Sequence, residues 1–237
     1  MIFILVHGLG HGGWCWEQTK QELELRGHRV AAPDLPLTSL VDDADCVARL
    51  VDQQSTSADG EAGKVVLVGH SYGGLVISAA AARAKKPVDH LVYLAAAMIG
   101  SNDDYFALLA EHGTELSANL IESDGTWLTV SQEKAAQGFY GACDEATIQR
   151  AVALLRPTSL NCWNLITPIP EPWLQIRSLY IVCSQDEAMP PGMQRVLAGN
   201  ATETAELDTD HSPFFSANSE LCDLLVGRTE AVSVAAG

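Results

Sequence analysis

Basic side chains are scarce in this sequence. Its 237 residues include 14 lysines and arginines against 30 aspartates and glutamates, which gives a formal net charge of −16 at pH 7. A surface this acidic repels phosphate groups, which argues against binding to nucleic acid or to an anionic membrane. The shortage of cations also argues against a highly anionic substrate and favours a neutral one.

Long apolar runs are also lacking. The run that opens the chain, residues 1–6, follows no basic segment of the kind found in signal peptides, and His7 and Gly8 interrupt it. No run approaches the roughly 20 apolar residues that cross a bilayer. We therefore expect residues 1–6 to form a buried strand and the protein to be cytoplasmic, without a membrane partner.

The sequence has no C-x-x-C pair and no cluster of histidines that could complete a metal site. Widely spaced cysteines of this kind are typical of free thiols in a reducing compartment. We expect neither a zinc site nor a disulfide framework, and no metal or organic cofactor. The six cysteines are Cys15, Cys46, Cys143, Cys162, Cys183 and Cys222.

The most informative segment that is present surrounds Ser71. Small and β-branched residues at 64–68 lead into Gly69-x-Ser71-x-Gly73, and an alanine-rich stretch at 75–84 follows. A strand, a sharp turn and a helix in this order are typical of a nucleophile elbow, whose strained turn exposes a serine hydroxyl. Glycines suit the flanking positions because side chains there would collide with the strand and the helix. We predict that Ser71 is a nucleophile.

Strand-like and helix-like segments alternate over the first hundred residues, which predicts an α/β fold with a mostly parallel sheet. After Met98 the pattern changes to short amphipathic helices at residues 104–112, 132–139 and 144–155, and strand periodicity resumes at Ser178. Because sites in such folds lie at the strand ends, we interpret this insertion as a helical lid. We predict one domain, with a core of about 1–98 and 174–230 and a lid of about 99–173.

A serine hydroxyl needs a base that removes its proton. Of the seven histidines, His211 is the one that follows the last predicted core strand, and it lies in a turn-rich loop. Proteins with this elbow place serine, acid and histidine in that order along the chain. The order favours His211 as the base over the alternative of a solvated loop side chain.

The acid that orients the base is predicted to be Asp186. It directly follows the strand at 178–183, so it lies at the sheet edge where the elbow opens. Glu187, Asp208 and Asp210 are rivals, but Asp210 neighbours His211 in sequence, which makes a good carboxylate–imidazole geometry difficult. The alternative role for Asp186 is capping of the following turn.

Backbone N–H groups stabilise an oxyanion well because they are fixed before charge develops. One such donor is predicted at Tyr72, the residue after the nucleophile at the start of a helix. The other is predicted at Leu9, in the glycine-rich loop at residues 7–13. Glycines would also suit an ordinary tight turn at this position.

Four motifs resemble those of the α/β-hydrolase superfamily, and more narrowly its branch of plant methyl esterases, hydroxynitrile lyases and bacterial pyrethroid-hydrolase-type carboxylesterases. The resemblance implies an α/β-hydrolase fold, a mostly parallel central sheet flanked by helices with an inserted helical lid. The motifs are His7-Gly8-x-x-His11-Gly12-x-Trp14-x-Trp16, Gly69-His70-Ser71-Tyr72-Gly73-Gly74, Gln185-Asp186-x-x-x-Pro190 and Asp210-His211-Ser212-Pro213-Phe214.

Two departures from the branch bear on the reaction. Its hydroxynitrile lyases carry threonine or asparagine where this chain has Gly8, and the better-known ones carry lysine where it has Ser212. The resemblance therefore implies a serine carboxylesterase for small to medium apolar esters or lactones. Two alternatives stay open: a lyase or carbon–carbon bond hydrolase on the same triad, and a ligand-binding receptor with residual hydrolysis.

The substrate pocket is the least constrained part of the sequence. We expect it to be apolar and to accept a small to medium neutral ester. The alternative role is core packing for the aromatic and aliphatic candidates and a structural hydrogen bond for His11. The resemblance slightly favours Met98 and Trp127, and a homodimer stays open. The predicted substrate-binding residues are Gly8, His11, Met98, Trp127, Phe139 and Phe214.

Overall fold

The computed structural model of the chain describes residues 1–54, 63–101, 103–163 and 170–230. Residues 102 and 164–169 of the predicted lid lie outside the described residues. The strands of the described part are Ile2–Val6 (β1), Arg29–Ala31 (β2), Val65–His70 (β3), His90–Leu94 (β4), Ile121–Ser123 (β5), Trp127–Val130 (β6), Thr158–Ser159 (β7), Ser178–Cys183 (β8) and Glu203–Leu207 (β9).

Helices connect and cover these strands. Short 3-10 helices lie at Gly13–Trp16, Leu160–Trp163, Pro172–Leu174 and Ala198–Asn200. The α-helices are Glu17–Leu25 (α1), Leu40–Gln54 (α2), Gly73–Arg83 (α3), Tyr105–His112 (α4), Glu115–Ala118 (α5), Gln132–Tyr140 (α6), Glu145–Leu154 (α7), Pro191–Leu197 (α8), Pro213–Ser216 (α9) and Asn218–Glu230 (α10).

Six strands form one parallel sheet in the order β2-β1-β3-β4-β8-β9. Its four central strands are buried along their whole length. Helices cover both faces of such a sheet, which explains why these strands have continuous apolar sequences. The predicted α/β fold with a mostly parallel sheet is confirmed.

The two faces of the sheet carry separate apolar layers. In β1, Ile2, Ile4 and Val6 pack in the layer of α2, α3 and α8, whereas Phe3 and Leu5 pack in the layer of α1 and α10. This alternation follows from the two-residue period of a strand. Because helices cover both faces of the sheet, a functional site is expected at the carboxyl ends of the strands.

Helices α4–α7 and a second, smaller sheet occupy the segment between β4 and β8. The predicted starts of two helices are capping residues, because Asp104 and Asp144 accept backbone N–H hydrogen bonds at the first turns of α4 and α7. The antiparallel sheet β5-β6-β7 was not predicted. The division of the chain into one core and one lid stays a prediction. Within the described ranges, no helix is long and apolar enough to span a bilayer.

Candidate active site

Ser71 lies in a tight turn between β3 and α3. Its φ of 53° is in the left-handed region, which costs a residue with a side chain roughly 1–2 kcal/mol. The Ser71 N–H donates to the Leu94 carbonyl (3.2 Å), and the Ser71 carbonyl accepts from the Ala97 N–H (3.0 Å). These contacts with the end of β4 hold the strained turn in place.

The flanking glycines permit this turn. A Cβ at Gly69 would lie 2.5 Å from the Gly73 carbonyl oxygen, and a Cβ at Gly73 would lie 2.6 Å from the Val6 carbonyl oxygen. Backbone atoms cannot yield to such contacts as the end of a flexible side chain can. The predicted steric reason for the Gly-x-Ser-x-Gly spacing therefore holds in the structure.

Asp186 and His211 meet at the carboxyl ends of neighbouring strands. Asp186 follows β8 and His211 follows β9, and the His211 Nδ1–H donates to Asp186 Oδ2 over 2.6 Å. Both side chains are buried. Oδ1 of Asp186 accepts the N–H groups of Ala188 and Met189, each over 2.8 Å. The carboxylate is thereby fixed and leaves Nε2 of His211 on the free side of the ring.

None of the three rival carboxylates contacts the His211 ring among the described residues. Asp210 accepts hydrogen bonds from the Ala142 N–H (2.9 Å), the Ser212 N–H (3.0 Å) and the Ser216 hydroxyl (2.6 Å). Asp208 and Glu187 are exposed at the surface. Of the four carboxylates considered, Asp186 is the one that contacts the His211 ring.

Ser71 and His211 line the same cavity, which has a volume of about 220 Å³. Among the described residues, the Ser71 hydroxyl makes no hydrogen bond to the imidazole of His211. Such contacts are often long without substrate and tighten when it binds. Ser71 and His211 therefore share a cavity wall, and Asp186 bonds to the other ring nitrogen of His211.

The backbone amides of Leu9 and Tyr72 belong to residues that line the cavity beside Ser71. Within the part of the chain that the structure describes, neither amide donates a hydrogen bond. Free N–H groups beside a serine hydroxyl are the arrangement that an oxyanion needs. The positions of the Leu9 and Tyr72 amides are compatible with their predicted role as oxyanion donors.

Residues of the insertion between β4 and β8 hold the loop that carries Leu9. Arg156 donates from Nε to the His11 carbonyl (3.0 Å) and from its own N–H to the Gly10 carbonyl (2.9 Å). The Thr158 hydroxyl accepts the Gly10 N–H over 3.1 Å. Sequence reasoning missed Arg156 and Thr158, because they are more than 140 residues from the loop along the chain. Their effect is to fix the backbone next to the Leu9 amide.

The predicted substrate residue His11 has a structural role. Its Nδ1–H donates to the Leu9 carbonyl (2.9 Å), and its Nε2 accepts the Tyr140 hydroxyl (2.9 Å). Burial lowers the pKa of His11 to about 3. The ring is therefore neutral near pH 7, and it connects the loop of Leu9 to α6 instead of lining the cavity.

Two other buried histidines next to the site are also neutral. Burial lowers the pKa of His7 to about 4 and holds the pKa of His70 well below its ordinary value. The His70 Nε2–H donates to the carbonyl of His211 (2.8 Å), and His7 Nε2 accepts the Leu35 N–H (3.0 Å). Both rings are therefore weak bases whose Nε2 atoms are already engaged in hydrogen bonds.

The predicted pocket residues require correction. Phe139 lines the cavity, and its ring stacks on His211 with centroids 5.2 Å apart. Met98 packs in the core, and Phe214 lies beneath the site against the His70 ring, so neither reaches the cavity. Trp127 is 44% exposed at the surface, while its neighbour Leu128 faces the cavity.

Gly8 is also absent from the cavity wall, although it lies directly behind Ser71. A Cβ at this position would be 2.8 Å from Cβ of Ser71 and 3.3 Å from Nδ1 of His70. Gly8 therefore leaves space for the Ser71 side chain. Threonine here would displace the Ser71 side chain.

The cavity wall comes mainly from the insertion. No aspartate, glutamate, lysine or arginine side chain of the described residues lines it. For Phe106 and Leu109, the sequence signal is the apolar face of the helix at 104–112. The apolar residues that α4 and the following segments contribute are Phe106, Leu109, Leu120, Ile121, Leu128 and Trp163.

Gln194, on α8, is a further residue that sequence reasoning missed. It is fully buried, and its Nε2 donates to Asp186 Oδ2 (2.8 Å) and to the Met189 carbonyl (2.6 Å). Its Oε1 accepts the Cys183 N–H over 2.9 Å. The amide of Gln194 thus connects the end of β8 to the carboxylate that orients His211. In the sequence, Gln194 stands directly before Arg195 in a short helix, so no local pattern marks it as buried.

No group of three or more histidine, cysteine, aspartate or glutamate side chains in the described ranges is placed to hold a metal ion. The polar groups that meet at the cavity are a serine hydroxyl, an imidazole–carboxylate pair and two backbone amides. Together they can support nucleophilic attack on a carbonyl carbon with proton transfer through the imidazole.

Comparisons with known proteins identify the family of this chain. The model of the alpha/beta hydrolase family matches residues 3–224. Norfluorocurarine synthase 2 from a Strychnos species is 32% identical, over 97% of this chain and 96% of that protein. Methylesterase 1 from Arabidopsis thaliana is 30% identical, over 93% of each chain.

A solved structure supports the same relationship. The pyrethroid hydrolase from Sphingobium faniae superposes with a TM-score of 0.82 at 25% identity, and the match covers 98% of each chain. The resemblance predicted from the four motifs is confirmed. Since the family model spans almost the whole sequence and relatives at 30% identity or more cover it nearly end to end, this chain belongs to the alpha/beta hydrolase family.

Proposed function

We propose that this protein is a serine carboxylesterase that hydrolyses uncharged, mainly apolar esters. The observation that carries the proposal is the 2.6 Å hydrogen bond between His211 and Asp186, with His211 and the strained Ser71 on the wall of one apolar cavity. In this proposal Ser71 is the nucleophile, His211 the base and Asp186 the acid that orients it. Two of the similar proteins are named a methylesterase and a pyrethroid hydrolase, which supports hydrolysis of an ester.

The reaction follows from the proposed roles. The Ser71 oxygen attacks the ester carbonyl while Nε2 of His211 takes its proton, and the Nδ1–H bond to Asp186 stabilises the imidazolium. The N–H groups of Leu9 and Tyr72 hold the negative oxygen of the tetrahedral intermediate. Collapse breaks the ester C–O bond, and the alcohol leaves with the proton from His211. Water then attacks the acyl-enzyme by the same steps and releases the acid.

The substrate class follows from the cavity wall. A charged substrate would lose its hydration without gaining a partner, because no oppositely charged aspartate, glutamate, lysine or arginine of the described residues lines the wall. The net charge of −16 further disfavours an anionic acyl group. Small to medium neutral esters, including lactones, match these conditions.

The proposal is tested by covalent labelling and turnover together. An organophosphonate probe should add once to the intact protein, and peptide mapping should find it on Ser71. A series of p-nitrophenyl esters of increasing acyl length should show one optimum, since the cavity limits chain length. An adduct on Ser71 without ester turnover would contradict the esterase and direct attention to carbon–carbon bond cleavage or ligand binding on the same site.

Gln194 is expected to position Asp186. Replacing it by methionine keeps the volume but removes the donor to Oδ2, so the carboxylate holds His211 less firmly. We expect kcat to fall about 10- to 100-fold with KM nearly unchanged, and the free energy of unfolding to fall by about 1–3 kcal/mol, because the Cys183 N–H loses its acceptor.

Gln185→Met is the matched control for this prediction. Gln185 is exposed, and its amide donates to the surface carboxylate of Asp208. The control should change kcat by less than threefold. Equal kcat values for Gln194→Met and the wild type would show that the amides of Ala188 and Met189 position Asp186 without help.

A further inference from the structure

Tyr105 opens helix α4 and lines the cavity. Its ring makes edge-on contacts with Trp163, at a centroid distance of 4.9 Å, and with Phe106, at 5.8 Å. These two aromatic neighbours also line the cavity. The position of the phenol ring is therefore set by packing.

The hydroxyl of Tyr105 differs from every other tyrosine hydroxyl in the chain. Tyr105 is half-buried on the cavity wall, and among the described residues its hydroxyl makes no hydrogen bond. The other four tyrosines all have one: Tyr72 with Asp43, Tyr93 with Ser78, Tyr140 with His11 and Tyr180 with Ala96. A polar group without a partner on an apolar cavity wall points to a ligand that supplies the partner.

The neighbouring carboxylate does not fill this role. Burial and the charge of Asp186 raise the pKa of Tyr105, so the phenol keeps its proton and can act as a donor. Asp186 already accepts four hydrogen bonds, from Ala188, Met189, Gln194 and His211. The Tyr105 O–H is therefore left to donate into the cavity.

We propose that Tyr105 donates a hydrogen bond to a second, uncharged oxygen of the substrate, such as a ketone or ether oxygen, apart from the ester that is cleaved. The inference rests on the proposed esterase function and narrows its substrate class from apolar esters to oxygen-bearing ones. No charged side chain of the described residues other than the titratable His211 lines the cavity, so the second oxygen belongs to a neutral group. Tyr105 is then a specificity-determining residue.

The test uses pairs of esters that differ in one oxygen. Methyl hexanoate is compared with its analogues that carry an oxo group at the third, fourth or fifth carbon, which places the oxygen in the acyl part. Butyl hexanoate is compared with 2-methoxyethyl hexanoate, which places the oxygen in the alcohol part. For the oxygen position that fits best, we expect the wild type to favour the oxygenated ester in kcat/KM by roughly 2- to 13-fold, the factor that one neutral hydrogen bond contributes.

Tyr105→Phe removes the donor and keeps the ring. It should bring this ratio of kcat/KM values close to one, mainly through KM. Tyr93→Phe is the matched control, because it removes a tyrosine hydroxyl that bonds to Ser78 away from the cavity wall, and it should leave the ratio unchanged. An unchanged ratio in Tyr105→Phe, or a wild type without preference at any position, would overturn the inference.

A binding measurement separates this inference from the proposed function. The same pairs are titrated into Ser71→Ala protein, with and without Tyr105→Phe, and binding is followed by tryptophan fluorescence, since Trp163 contacts Tyr105. If the wild type hydrolyses no ester, the esterase proposal fails, but binding still tests the role of Tyr105. The quantity compared is the dissociation constant of the plain ester divided by that of its oxygenated partner. If this ratio is the same with and without Tyr105→Phe, the role proposed for Tyr105 is rejected.

Discussion

Replacing Ser71 by alanine should abolish ester hydrolysis, with a loss in kcat of about 10⁶-fold. The substitution removes the oxygen that forms the acyl-enzyme, and no other described serine combines a strained turn with a position beside His211 on the cavity wall. Water could still be activated by His211, but without covalent catalysis. The organophosphonate adduct should disappear from the intact mass together with turnover.

Two measurements make this result specific. Thermal unfolding and circular dichroism should show that Ser71→Ala protein is folded, because the lost hydroxyl makes no hydrogen bond to the described residues. Ser78→Ala is the control, since Ser78 lies on helix α3, which follows Ser71, and bonds to the Gly74 carbonyl and Tyr93 outside the cavity wall. Turnover that persists in Ser71→Ala, or an adduct mapped to another residue, would reject the proposed nucleophile.

The main sheet was accessible from sequence because of where its strands lie. Parallel strands buried on both faces have continuous apolar sequences, so β1, β3, β4 and β8 stand out from their surroundings. Strand β9 was missed because it lacks such a continuous apolar sequence. It lies at the edge of the sheet, and its alternating residues Glu203–Leu207 resemble a polar loop.

The insertion was harder to predict than the core. Strands β5, β6 and β7 have three, four and two residues, which is too short for a reliable period. A shift of one residue also moves a strand side chain to the opposite face. Trp127 was favoured because the resemblance gave weight to aromatic residues of the insertion, whereas Leu128 lines the cavity and Trp127 faces outward.

In the candidate site, residues marked by their place in the sequence were predictable, and contacts set by three-dimensional packing were not. Ser71, Asp186 and His211 each follow a strand, and their order along the chain is a property of the sequence. The contacts of Gln194 and Arg156 depend on which helix or strand packs beside them in three dimensions. The partnerless hydroxyl of Tyr105 is likewise recognisable only when every neighbouring donor and acceptor has been accounted for.

Replacing Asp186 by asparagine should lower kcat by about 10⁴-fold. The structure predicts how the amide is oriented. Because the Ala188 and Met189 N–H groups donate to Oδ1, the asparagine oxygen takes that place and its NH₂ group faces His211. The imidazole must then accept at Nδ1 and carry its proton on Nε2, so it cannot take the proton of Ser71. The NH₂ of Gln194 also faces this new donor, which should lower stability by about 1–3 kcal/mol.

Asp210→Asn is the matched control, because it makes the same chemical change at the residue next to His211. The Asp210 carboxylate accepts from Ala142, Ser212 and Ser216, so this variant should lose stability but less than tenfold in kcat. Both variants are compared in kcat, KM and thermal unfolding, and the shift of the imidazole proton to Nε2 is observable by nitrogen NMR of His211. If Asp210→Asn were the more damaging change in kcat, or if the tautomer of His211 stayed the same in Asp186→Asn, Asp186 would not be the residue that orients the base.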